Sequence, residues 1–274
     1  MILQCLFAIT YLVTKVSTNN YIAAAWIYFP EDPLGDTDTY GLGYVDHLYI
    51  MPFGCTPGCT AFGYAAAYAS QFTHVMSRAN LYYGMKKFAV HGWNASFLSD
   101  LSASDGSSAS LQTLADSVAG FVGTNGFNGY GIDFETGDYS SNVISDTELS
   151  TYVGYLRSST NNNFNMLLSI SPAFDNRNSF ISFDYILLQS YSNGCVTASQ
   201  IYGSNAQSIR AKVLYGVSLE YGSNDTNTSG IHFANIVNNT YAGTSFWRLN
   251  TGVNNQTEQV MQQSLQQALR TLPN

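Results

Sequence analysis

The chain has 274 residues, 45% of them hydrophobic with 16 Phe and 20 Tyr, enough for one sizeable core in a single domain. Only 10% are charged, and Asp+Glu outnumber Lys+Arg 18 to 10, so Ser, Thr, Asn, Gln and Tyr must solubilise the surface. A net charge of -8 repels phosphate backbones and no basic run exceeds Lys86-Lys87, which argues against a nucleic-acid partner.

Met1 to Val13 is apolar and too short to span a bilayer. Residues 1–18 read as a signal peptide cleaved near Val16 and Thr18, leaving Asn19 to open the mature domain, 19–274, with no membrane span after removal. The alternative reading is a buried first helix or strand. Sequons at Asn94, Asn224, Asn227, Asn238 and Asn255 agree with a secreted, extracellular glycoprotein. Cys5 would leave with the signal, and Cys55-Thr-Pro-Gly-Cys59 could close a loop disulfide, leaving Cys195. The Cys-x3-Cys spacing lacks two further ligands for a structural zinc, so neither metal nor other cofactor is expected.

Short β-branched or aromatic runs then alternate with amphipathic stretches, a pattern that predicts βα units around a parallel sheet. The strands expected are Ile22 to Tyr28, Val45 to Met51, Lys87 to His91, Gly129 to Phe134, Asn165 to Ile170, Tyr185 to Gln189, Ala211 to Val217 and Thr244 to Leu249. Most are continuous apolar runs, as expected of strands covered on both faces. Helices are expected at Phe62 to Tyr83, Ala109 to Val122, Asp146 to Ser159, Thr197 to Ser208 and Glu258 to Leu272. Between Phe29 and Tyr44, Pro30, Pro33, Gly35, Gly41 and Gly43 leave no room for a long helix.

The chemistry concentrates in Gly126-Phe-Asn-Gly-Tyr-Gly-Ile-Asp-Phe-Glu-Thr-Gly137. Asp133 and Glu135 stand two apart on a strand and so share one face, whereas Tyr130 and Phe134 alternate with them and should pack against helices. Two carboxylates inside a sheet are costly unless they have partners or a task. Phe127 to Glu135 resembles the fourth-strand signature of glycoside hydrolase family 18, Phe-Asp-Gly-x-Asp-x-Asp-x-Glu, with Asn128 and Gly131 at its first two aspartates. Lys87-Phe-Ala-Val-His-Gly-Trp93 resembles that family's third-strand Ser-x-Gly-Gly-Trp, with Ala89 for the Ser and His91 for the first Gly. Tyr185-Ile-Leu-Leu-Gln-Ser-Tyr191 resembles its sixth-strand Met/Gln-x-Tyr segment, and Thr244-Ser-Phe-Trp247 its eighth strand.

The resemblance implies a single-domain (β/α)8 TIM barrel without a large inserted α+β subdomain, since only Ser218 to Gly230 could build an extra wall. It also implies a chitinase-type hydrolase acting on β-1,4-linked N-acetylglucosamine in chitin or chito-oligosaccharides, with the substrate's acetamido group as nucleophile. Glu135 would be the acid/base, Asp133 would orient the acetamido N–H, and Tyr191 would donate to the acetamido oxygen. Trp247, Gln189, Trp93 and Tyr28 would contact the sugar. Rival readings are a non-catalytic chitinase-like lectin and an endo-β-N-acetylglucosaminidase acting on N-glycans. Retention of Glu135 speaks for an enzyme, whereas Gly131 and Ala89 speak for the lectin. Ala89 and Asn128 are expected beneath the site in place of a bonded Ser and Asp, and Gly131→Asp is expected to restore the family pattern and raise activity. His91 either lines the cleft beside Trp93 or packs under the mouth. His47 and His74 are expected in ordinary strand and helix surroundings.

Overall fold

The computed structural model describes residues 21–32, 41–55, 61–92, 108–135, 145–159, 165–173, 178–189, 209–218, 240–249, 263 and 267–272, with Ser108, Ala109, Glu135, Ala173, Asn178 and Ser179 described by backbone alone. The strands are β1 (Ile22–Tyr28), β2 (His47–Cys55), β3 (Phe62–Gly63), β4 (Lys86–His91), β5 (Gly129–Glu135), β6 (Leu167–Ala173), β7 (Tyr185–Leu187), β8 (Val213–Ser218) and β9 (Gly243–Trp247). Helices α1 (Ala69–Ala79), α2 (Ser108–Thr124) and α3 (Asp146–Ser159) lie between them. Pairing runs β1-β9-β8-β7-β6-β5-β4-β2, and a parallel β1–β2 ladder closes the ring. All eight of these strands are parallel, which gives the expected (β/α)8 barrel.

Each expected strand is present within a few residues of its sequence bounds. The helix expected from Phe62 is not: Phe62–Gly63 instead pairs antiparallel with Gly54 and Cys55 at the end of β2, and α1 begins only at Ala69. Packing explains this, because Phe62 is buried against Phe53, Phe121 and His91 and anchors the hairpin on the barrel. Cys55 is disulfide-bonded, and its partner lies outside the described residues. Residues 1–20, the sequons other than Thr240 of the fourth, the helix expected at 197–208 and all of the Ser218 to Gly230 wall except Ser218 also lie outside them. Between Phe29 and Tyr44 the described residues form only short 3-10 turns, Phe29–Glu31 and Leu42–Tyr44.

Period-two alternation divides every strand between two cores. Outward residues such as Ile27, Ile50, Tyr130, Phe134, Ile170 and Phe246 are buried in the layer shared with the helices. Inward residues Ala24, Trp26, Tyr49, Met51, Phe88, Val90, Leu187 and Leu214 fill the barrel. His47 is also inward, at the starts of the strands, with its ring 4.7 Å from that of Tyr185 and 5.3 Å from that of Phe88. His74 on α1 pairs with Asp32 at 2.5 Å and ties the first 3-10 turn to that helix.

Helix α3 begins with a reciprocal cap: the Glu148 amide donates to Ser145 Oγ at 3.2 Å, and Glu148 Oε2 accepts from the Ser145 amide at 2.8 Å and hydroxyl at 2.6 Å. These donors, the hydroxyl first, hold the Glu148 carboxyl below its ordinary value. A depressed folded-state pKa gives stability that is present above the unfolded carboxylate range and is lost as pH falls through the folded value. Ser145→Ala should therefore cost about 1 kcal/mol at neutral pH. Urea denaturation should show the gap between variant and wild type narrowing on acidification; a gap that does not change with pH would exclude the charged cap.

Candidate active site

The inward face of β5 begins Gly129, Gly131, Asp133, two positions without side chains below an acid. A Cβ on Gly129 would stand 2.5 Å from the Phe88 ring and 2.6 Å from the Leu167 carbonyl. One on Gly131 would meet Ser169 Oγ at 2.8 Å and Val90 Cγ2 at 3.2 Å. The glycines thus admit an aromatic column that climbs the barrel. Phe88 stacks on Tyr49 at 4.6 Å, Tyr49 on Trp26 at 5.2 Å, and Trp26 meets Trp247 edge-on at 5.5 Å. The Trp26 indole donates to Ser245 Oγ at 2.7 Å. Tyr49 is fully buried, which raises its phenol well above the ordinary value while the Ser169 hydroxyl opposes the rise. At ordinary hydrogen-bond geometry its hydroxyl has no partner among the described residues.

Asp133 stands above this column, toward the ends of the strands, and is 4% exposed. Its Oδ1 accepts from Gln189 Nε2 at 2.8 Å, and the same nitrogen donates to the Ser171 carbonyl at 3.1 Å. Glu135 ends β5, two residues beyond Asp133, with its backbone in register with Ala173. Trp247 ends β9 and is half-buried against the inner column. Tyr28 ends β1 under the Arg248 guanidinium, 5.4 Å from the ring centroid, and Arg248 Nη1 donates to Glu31 Oε2 at 2.6 Å. The structure therefore joins Asp133 to Gln189 and sets Tyr28 and Trp247 on the same inner cluster, whereas Tyr191 and Trp93 lie outside the described residues.

Four neighbours were not evident in the sequence. Ser171 contributes through its backbone carbonyl, for which no side-chain pattern exists. Ser169 borders Gly131 only because β6 pairs with β5 in that register. Arg248 and Glu31 form a rim pair across 217 positions, and the only signal was a rare cation directly after Trp247.

Two expectations about the surroundings of the acids change. Ala89 is buried in the helix-side layer, on the opposite face of β4 from Val90, so it does not lie beneath the acids. Asn128 precedes β5 and accepts the Lys87 amide through Oδ1 at 2.9 Å, at the strand starts. Ser169, Val90 and Tyr49 occupy the space next to Gly131 instead. His91 faces the helix layer, not the cleft, with Nδ1 2.7 Å from the Tyr130 hydroxyl, which also accepts from the Tyr152 hydroxyl at 3.3 Å. Tyr130 and Phe134 pack in that layer, as the alternation predicted.

Among the described residues no group of three or more His, Cys, Asp or Glu could hold a metal ion, and no helix is long and apolar enough to cross a membrane. No family model matches the sequence and no curated protein sequence matches it. Solved structures do match the fold. A class V chitinase from Nicotiana tobaccum superposes with a TM-score of 0.67 at 12% identity, covering 88% of this chain and 99% of that one. A family GH18 chitinase from Cycas revoluta in complex with (GlcNAc)3 gives 0.69 at 12% identity, over 89% and 99%. Catalytic domain 2 of the Ostrinia furnacalis group II chitinase, in complex with an N-acetylglucosamine oligomer, gives 0.69 at 10% identity, over 91% and 97%. The chain shares the (β/α)8 fold of these chitinases, as the sequence resemblance implied.

The contacts around Gly131 give Gly131→Asp a cost in stability. A side chain there must displace Ser169 and crowd Val90, and it adds an acid beside Asp133. Overpacking alone costs about 1–3 kcal/mol, and an unpaired buried acid adds to that. Gly131→Asp should unfold at lower temperature than wild type, and Ser169→Gly in the same chain should recover part of the loss. A single variant as stable as wild type would show that the space is not filled.

Proposed function

We propose that this chain is a glycosidase that cleaves β-1,4-linked N-acetylglucosamine in chitin or chito-oligosaccharides by substrate-assisted, retaining catalysis. The observation that carries the reading is Asp133, a buried acid held at the mouth end of β5 in a family-18 barrel, two residues before Glu135. Structures sharing this fold bind (GlcNAc)3 and longer N-acetylglucosamine oligomers, which supports the substrate class.

In the proposed reaction the acetamido oxygen attacks the anomeric carbon as the glycosidic C–O bond breaks, and the Glu135 carboxyl passes its proton to the leaving oxygen. Asp133 accepts the acetamido N–H, orients the group and offsets the positive charge of the cyclic oxazolinium. Water then attacks the same carbon, giving its proton back to Glu135, and the ring opens with net retention. Tyr191 donates to the acetamido oxygen. Trp247 offers its ring to the sugar, with Tyr28, Trp93 and Gln189 around it. This step needs neither a metal nor another cofactor.

A lectin is the second reading, favoured by Gly131, because the space of the family's middle acid is closed by Ser169 and Val90. A fluorogenic chitotrioside separates the two. Wild type should release the fluorophore, and Glu135→Gln should lower turnover by about 10² to 10⁴ while preserving oligosaccharide affinity, as expected for loss of an acid-base group. Binding without release in wild type would establish the lectin, and preferential release of N-glycans would establish the endo-β-N-acetylglucosaminidase. Equal cleavage of glucose-based oligomers would refute substrate assistance.

We also propose export, supported by the apolar Met1 to Val13 and the five sequons. Expression in a eukaryotic secretory host should deliver a glycosylated chain beginning near Asn19. Retention of Met1 on the soluble product would overturn that.

A further inference from the structure

We propose that Gln189 is a positioning residue whose side-chain amide locks Asp133 as a carboxylate in one fixed orientation. It does so in a chain that has Gly131 where the family-18 signature has its middle aspartate. The inference rests on the hydrolase reading for its kinetic consequences, but its geometry stands apart from that reading.

The amide nitrogen of Gln189 carries two hydrogens, and both have acceptors: Asp133 Oδ1 at 2.8 Å and the Ser171 carbonyl at 3.1 Å. All three residues are buried, with Gln189 the most exposed at 8%. A backbone carbonyl can only accept, so one N–H is committed to Ser171 and the amide plane is set. Turning the amide over would place its oxygen against that same carbonyl, leaving two acceptors facing each other. The remaining N–H then points at Asp133 and requires an acceptor, which suits the ionised carboxylate.

The frame around this contact is rigid. Ser171 is held in the β5–β6 ladder directly opposite Asp133, and Gln189 follows β7 by two residues, so the clamp spans three neighbouring strands. Below Asp133, Ser169 Oγ and Val90 stand against Gly131, and the Tyr49 ring lies 3.7 Å from the same point. On the Gly131 side the carboxylate therefore has no neighbouring acid, and the donor it is given is the Gln189 amide.

Two substitutions test the clamp. Gln189→Met keeps the bulk but removes the donor, and should lower kcat on the fluorogenic chitotrioside roughly tenfold to a hundredfold, the scale of a misplaced reacting group, with a smaller change in KM. Gln189→Glu keeps the shape but donates only when protonated. Its activity should therefore rise on acidification toward about pH 4 and collapse near neutrality, giving an acid-shifted profile that a space-filling role would not produce. Melting temperatures provide a readout independent of turnover. The introduced acid, facing Asp133, has a raised folded-state pKa, so the variant should approach wild-type stability at low pH and lose it as pH rises through that value.

A Gln189→Glu profile parallel to wild type, together with a melting difference that does not change with pH, would overturn the proposal. So would a Gln189→Met variant with wild-type kcat. If wild type itself leaves chitotrioside intact, the hydrolase reading fails while the melting comparison still decides the clamp.

Discussion

A parallel barrel of eight strands has room inside for only a few layers of side chains, and here one strand surrenders its share of the lower layers. Gly129 and Gly131 leave the inner face of β5 bare, and the Phe88 ring lies where a Gly129 side chain would begin. That absence lets Phe88, Tyr49, Trp26 and Trp247 stand in a continuous column, each pair contributing about 0.5–1.5 kcal/mol beyond its burial. The column runs from the inner face of β4 to Trp247 at the end of β9.

The same filling determines the electrostatics of the mouth. A carboxylate over an aromatic plug has few hydrogen-bond donors around it to stabilise its charge, and an isolated one would neutralise. Asp133 is instead given an amide donor by Gln189. At the rim, Arg248 is divided between the Glu31 carboxylate and the Tyr28 ring. With Glu31 47% exposed, that ion pair adds little stability by itself, and its effect is to hold Tyr28 beneath a cation at the end of β1.

Strands were readable because a run such as Ile22–Tyr28, buried on both faces, needs a long unbroken apolar stretch. The β2–β3 hairpin was not, since two residues, Phe62 and Gly63, carry no measurable period and are held by rings distant in sequence. The inward direction of Asp133 followed from alternation alone. Alternation also decides the place of Ala89: it shares a face with His91 and Lys87, whereas Phe88 and Val90 face the barrel, so parity outweighs motif alignment there. Gln189 was expected at the sugar, but its bond to Asp133 was out of reach, because the fold brings the two together. Gln189 lies 56 positions from Asp133, and the Ser171 carbonyl has no sequence signature.

Of the three tryptophans in the chain, Trp26 and Trp247 meet with ring centroids 5.5 Å apart and planes inclined at 66°. At that separation the transition dipoles of two indoles couple, and a pair that is not coplanar absorbs left- and right-handed circularly polarised light unequally. Trp26 is buried and bonded to Ser245, so it is the fixed member, while Trp247 borders the mouth. The pair thus joins a buried, hydrogen-bonded indole to a half-buried one at the end of β9.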